Sequence, residues 1–215
     1  MHKCANAHTT LPAHQGSSVT NDTSFQVLGV QIGQAKPLHI EGRRILSAIG
    51  KQPVKGPVAV GRMGLAGDEQ ADPSVHGGLS KAVYAYPTEH LGFWHALRQQ
   101  WVPNLLNEPL PHGFMGENLS VSGLLEVDAW VGDELHFPHC VLRITEPRQP
   151  CYKFNAVMGS AYAGKRMAES GFCGFYLSVV QPGTVDAGQV FHIQPGSRQL
   201  SIAQAFAGKR WKHLR

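Results

Sequence analysis

The 215 residues suffice for one large domain or two small ones, and 42% hydrophobic against 16% charged residues excludes a disordered chain. The net charge of +4, with the 12 histidines neutral, is too mild for a nucleic-acid binder and suits a small anionic ligand. No run of 18 apolar residues could span a membrane, and the first residues lack the apolar core of a signal peptide, so a cytoplasmic protein is expected.

Residues 1–23 are polar and without periodicity, which predicts a flexible leader; His2, Cys4, His8 and His14 within it match no standard zinc spacing. Residues 25–33 alternate apolar and polar side chains and read as a first strand, with further short strands at residues 44–49 and 57–60. Nothing between Phe25 and Val60 has the length and period of a helix, which argues against a parallel βαβ sheet and for a meander or barrel. Residues 64–81 form a long Gly-rich polar loop holding Asp68, Glu69, Asp72, His76, Gly77, Gly78 and Lys81. A loop of that length in a packed domain points to function: the glycines let backbone approach a ligand, and Lys81 can meet an anion.

A strand over residues 82–86 follows, then Pro87 opens a helix over residues 88–100, whose Leu91, Trp94 and Leu97 stripe reads as core. Residues 114–121 are a turn entering a strand; Glu117 and Asn118 there either close the turn or meet a ligand's polar edge. Gly132-Asp133 is a turn feeding another strand, and the nearby His136, His139 and Cys140 lack a fourth zinc ligand. A helix is predicted near residues 160–169, ended by Gly171. Residues 172–180 are the strongest apolar strand, with Cys173 inside it as a structural thiol. Residues 189–193 form a last strand, and Ser201 caps a helix over residues 202–207.

The fold class expected is mainly β with short helices (α+β). The barrel-like domain should occupy residues 24–194 and a short helical tail residues 195–215.

The chemistry centres on Pro147-Arg148-Gln149-Pro150-Cys151-Tyr152-Lys153. A β-branched strand, residues 141–145, runs into it and must stop at Pro147 and Pro150, which cannot donate to a ladder. Cys151 therefore lies just past a strand end, beside Arg148 and Lys153, where a thiol gains thiolate character. Local sequence leaves a reactive thiol and a buried structural cysteine both open.

Three segments, in order and spacing, carry a resemblance. They are Gly67-Asp68-Glu69-Gln70-Ala71-Asp72 through His76-Gly77-Gly78, Lys81 and Tyr86; Phe114, Gly116-Glu117-Asn118-Leu119; and the Cys151 stretch. Together they resemble the MOSC domain, the module shared with the C-terminus of molybdenum-cofactor sulfurase, and within it the bacterial YiiM-like branch linked to resistance to 6-hydroxylaminopurine. The resemblance implies a MOSC-type β-barrel-like fold binding a molybdenum–pterin cofactor (Moco). It implies that Cys151 is the catalytic residue and supplies a thiolate to the metal, a soft ligand for molybdenum. By the same resemblance His76, Gly77, Gly78, Lys81, Glu117, Asn118, Arg148 and Lys153 line the cofactor pocket.

The activity implied is reduction of N-hydroxylated small molecules, with electrons from a separate reductase. No nucleic-acid or membrane partner is expected. The spacing of Cys4, Cys140, Cys151 and Cys173 matches no iron–sulfur pattern, so electrons must arrive from another protein. Some relatives continue into a helical extension or an electron-transfer domain, whereas only a helix-sized tail follows Gln194 here. A carrier of cofactor or sulfur without turnover is the competing reading. A cysteine hydrolase using His76 as base ranks last, because no oxyanion-hole signature stands beside Cys151.

Overall fold

The computed structural model describes residues 24–71, 77–102 and 108–210; the expected leader and His76 fall outside them. The first half contributes β1 (Phe25–Ile32), β2 (Lys36–Ile40), β3 (Arg43–Ser47), β4 (Gln52–Pro53), β5 (Val58–Gly61), β6 (Gly64–Leu65) and β7 (Val83–Pro87). After β7 come α1 (Leu91–Trp101), β8 (Leu119–Ser122), β9 (Glu134–His136) and β10 (Val141–Pro147). The last part holds α2 (Tyr152–Met158), α3 (Ala163–Ser170), β11 (Phe175–Gln181), β12 (Gly183–Val185), β13 (Val190–Gln194) and α4 (Ile202–Arg210).

Seven strands close into a barrel in the order β1-β8-β7-β11-β10-β9-β13, with β13 returning to β1 at Phe25↔Phe191 and Gln26↔Val190. Closure removes the exposed edges an open sheet would carry. Every barrel pair is antiparallel except β7–β8, and a parallel pair requires a crossover; α1 lies in it. Alternation along the strands fills the interior with Val27, Val30, Leu119, Val121, Leu135, Leu142, Ile144 and Leu177, all at most 1% exposed. Each contributes about 1.5–3 kcal/mol by leaving water. Leu28 is the extra residue of a β-bulge between β1 and β8 and turns outward.

On the outer side of β7, Trp94 of α1 donates Nε1–H to the Tyr86 hydroxyl at 2.5 Å and meets Phe154 of α2 edge-on at 5.3 Å. This cluster fixes α1 and α2 against the barrel. At the far end, Ser201 and Gln204 form a reciprocal capping box: the Gln204 N–H donates to Ser201 Oγ at 3.2 Å and the Ser201 N–H to Gln204 Oε1 at 3.0 Å. Ile202 and Phe206 bury the apolar side of α4. Two small units lie outside the barrel. One is the three-stranded sheet β12-β5-β6, the other the β2–β3 hairpin, which pairs with no further strand. No described helix is long and apolar enough to cross a membrane.

Four local expectations change. Residues 88–90 form a 3-10 turn, and α1 begins only at Leu91. Cys173 precedes β11 rather than lying inside it. The Tyr84 hydroxyl takes the Cys173 carbonyl at 2.7 Å, the Tyr86 hydroxyl takes that of Phe172 at 3.2 Å, and Gly174 turns the chain at φ 65°. Side chains thus occupy the carbonyls a ladder would need. The second helix starts at Ala163 and runs to Ser170. A separate helix, α2, stands before it, starting directly at Tyr152.

Candidate functional site

Cys151 is the residue on which α2 begins, in extended backbone at φ −139° and ψ 163°. Three residues later Phe154 is fully buried and pins the helix. The thiol is thereby held at the junction of strand β10 and α2, on the wall of a cavity of about 100 Å³ that opens to solvent. One wall follows β3: Ser47, Ala48, Ile49 and Lys51. A second is the loop from Asp68 to Ala71, a third the turn bearing Met115, Gly116 and Asn118. Lys81, Tyr84, Arg148, Lys153 and Tyr176 complete the lining.

Arg148 is 4% exposed and sits between the rings of Phe154 (4.8 Å) and Tyr84 (5.5 Å), donating to Met167 Sδ at 3.4 Å. Among the described residues no carboxylate pairs with it. Burial works against its charge; Tyr84, Cys151 and Tyr176 favour it only when they are ionised, and burial pushes both phenols' pKa values up. Lys153 is 9% exposed and donates Nζ–H to the Leu46 carbonyl at 3.3 Å, again with no carboxylate among the described residues. A buried cation without a counter-ion is costly, so this wall is built for an anion.

Lys81 ends a 3-10 turn, its Nζ 5.8 Å from the Tyr176 ring. Gly77 and Gly78 stand behind this turn rather than on the cavity wall. Gly78 has φ 86°, a conformation favouring glycine, and its N–H donates to Gln70 Oε1 at 3.0 Å, so it shapes the approach to Lys81.

Glu117 is wholly buried and also lies behind the wall. Its Oε1 accepts the Gly113 N–H at 2.6 Å and the Ser120 hydroxyl at 2.8 Å, and burial raises its pKa. Asn118 reaches the wall, but both ends of its amide are occupied: Nδ2 donates to the Gln31 carbonyl at 3.2 Å and Oδ1 accepts the Tyr84 N–H at 3.1 Å. It is a strut between β1 and β7.

The structure therefore brings Cys151, Arg148, Lys153, Lys81 and Asn118 to one cavity and sets Gly77, Gly78 and Glu117 behind it. Sequence reasoning missed Lys51, whose ammonium pairs with Asp68 on the wall, and the tyrosines Tyr84 and Tyr176. Burial lowers the Lys51 pKa and the Asp68 charge opposes the shift. Asp68 stood in the loop motif, but Lys51 carried no signal beyond a lone lysine near a turn, and the tyrosines read as core strand.

The remaining described thiols are elsewhere. Cys140 is 1% exposed, its pKa pushed up to about 11 by burial, and Cys173 is fully buried with its pKa raised well above the ordinary value for the same reason. His136 pairs with Glu134 at 3.2 Å and stacks on His192; the described residues hold no group of three or more His, Cys, Asp or Glu placed to bind a metal.

Comparison with known proteins places the chain. The profile of the family described as MOSC domain matches residues 72–192. Protein YiiM of Escherichia coli (strain K12) is 34% identical over 161 residues, covering 75% of this chain and 70% of that one. A Gibberella moniliformis protein named Reductase is 33% identical over 172 residues, 78% of this chain but only 29% of the relative. The crystal structure of YiiM from Geobacillus stearothermophilus superposes with a TM-score of 0.69 at 30% identity, over 89% of this chain and 86% of that one.

Proposed function

The chain belongs to the MOSC domain family, and on that premise we propose that it is a molybdenum-cofactor-dependent oxidoreductase reducing N-hydroxylated compounds with electrons from a separate reductase. The observation that carries this reading is the Cys151 thiol sharing one cavity with two buried cations, Arg148 and Lys153, that have no carboxylate among the described residues. A relative named Reductase supports redox chemistry for the family.

The residues present fit the group. The lining holds four cations, Lys51, Lys81, Arg148 and Lys153, against two carboxylates, Asp68 and Glu69, which leaves an excess of positive charge for an anionic pterin phosphate. A cation beside a thiol favours the thiolate, and thiolate is the soft donor molybdenum takes. Cys151 would hold the metal, and Arg148, Lys153 and Lys81 the anionic parts.

When bound, the cofactor supplies the two electrons of the reaction. In balance, the N–O bond breaks, two electrons and two protons are consumed, and R–NH–OH becomes R–NH₂ and water. The Lys51–Asp68 pair on the wall holds one such proton at the lysine Nζ. Met115, Ile49 and Tyr84 give the cavity apolar walls that limit water around the reacting group. Cys140, Cys151 and Cys173 stand outside any disulfide, which suits a reducing cytoplasm.

The test is expression in a host that makes the cofactor, with bound molybdenum per chain and turnover of 6-hydroxylaminopurine or a benzamidoxime measured together. Cys151→Ser should abolish turnover and lower bound metal without unfolding the chain, because a hydroxyl is a poor soft ligand. A Cys151→Ser variant keeping both metal and turnover refutes the assignment. Wild-type chain that binds the cofactor but never turns over, with any donor, is a carrier.

A further inference from the structure

The β2–β3 hairpin is an arm with no strand partner in the barrel, and it leads straight into the cavity. Its last residue, Ser47, is on the cavity wall, followed there by Ala48, Ile49 and Lys51. The Leu46 carbonyl accepts from the Lys153 ammonium. Two consecutive residues of positive φ, Glu41 (50°) and Gly42 (75°), make its turn tight.

Strand pairing sorts the side chains onto two faces. Leu38, Ile40 and Ile45 are half-buried on one, while Pro37, His39, Arg44 and Leu46 are exposed on the other, Leu46 by 58%. Lys36, opposite Ser47, and Arg43, opposite Ile40, belong to the half-buried face and are exposed at its two ends. None of Lys36, Arg43 and Arg44 forms an ion pair among the described residues. Residues 34–67 contain six cations against one acid, Glu41, so this segment is more positive than the whole chain at +4.

We propose that this arm docks the electron-donating protein through its outer face and the cations along its edges, and that the donor presents an acidic surface there. The proposal rests on the reductase reading above, since only a protein fed by a donor needs such a surface. Redox encounters use small interfaces steered by complementary charge, and the exposed apolar pair Leu46 and Pro37, with Arg44 on the same face and Lys36 and Arg43 at the ends of the opposite one, has that form. Nucleic acid would call for a basic stripe tracking many phosphates, and the arm is one short hairpin. Its root forms part of the cavity wall, so a donor seated on it lies beside the site it must reduce.

The experiment uses the full chain loaded with cofactor and a small acidic [2Fe–2S] ferredoxin as probe. At low ionic strength the triple variant Lys36→Glu, Arg43→Glu, Arg44→Glu should bind the ferredoxin about tenfold or more weakly. Lys165→Glu, an exposed change on α3, should bind as wild type does. Wild-type binding should weaken with added salt, which tests the surface without any variant. Turnover driven by reduced methyl viologen, a small donor needing no docking face, should be equal in all three proteins.

Equal ferredoxin affinity in wild type and triple variant, or no binding to wild type, overturns the proposal. So does binding of duplex DNA or anionic vesicles that the triple variant loses while ferredoxin stays unbound. Viologen-driven reduction without ferredoxin binding defeats the arm and leaves the reductase reading standing. Charge-dependent ferredoxin binding without any reduction supports the arm and defeats the reductase reading.

Discussion

Arg148 holds a charge in a place where charge is expensive. Its guanidinium is stacked between Phe154 and Tyr84 and only 4% exposed, with no carboxylate among the described residues to offset it. Such a group serves a ligand at the expense of the empty fold. Arg148→Met keeps the length and the packing against Phe154 while removing the charge. It should stabilise the cofactor-free chain by about 1 kcal/mol or more, read from urea unfolding midpoints, and, on the proposed function, should lower the molybdenum bound per chain. A variant that is clearly less stable would mean that the stacking and the Met167 contact outweigh the desolvation of the cation.

Elements carry a different kind of argument, because their ends are set by single side chains. The capping box of α4 satisfies two main-chain N–H groups at once. Ser201→Ala removes one of those acceptors and should cost about 0.5–2 kcal/mol, with the loss recovered in Ser201→Asp; thermal melts of the three proteins test it. This cap was legible in the sequence because a serine followed by a helical run has one physical reading. The strands were legible for a similar reason, since alternation has a period that noise rarely mimics. The helix α2 was not, because Pro147 and Pro150 mark a loop and the helix starts one residue after that signal, held by burial of Phe154. β2 and its hairpin were equally hidden: the turn is Glu41-Gly42, not the Asn-Gly or Asp-Gly that announces such a hairpin. At the site, cations next to the cysteine could be read along the chain. Lys51 and Tyr176 reach the cavity only through the closure of the barrel, which no local pattern encodes.

At the scale of the molecule, seven strands make one closed surface, and its seam joins the two ends of the domain at Phe25↔Phe191 and Gln26↔Val190. Two more main-chain bonds hold the seam, from the Val27 N–H to the Gln189 carbonyl at 2.9 Å and from the Gly188 N–H to the Val27 carbonyl at 2.7 Å. A chain ending at Gly188 loses β13 and α4 and leaves edges on both β1 and β9. It should elute as oligomers or aggregate in size-exclusion chromatography, because unpaired edges template association. A monomeric truncated chain with wild-type circular dichroism would show that closure adds little.

That seam also sets a timetable at the ribosome. Within this domain β1 is made first, yet its partner in β13 is translated about 10–30 s later at ordinary elongation rates. Through that interval Phe25 has no Phe191 to stack on, a contact the finished protein makes at 5.6 Å between ring centres. Nascent chains of this protein therefore wait with one edge of β1 unmatched and open to chaperones, although β4 and β8 can already pair with the strand.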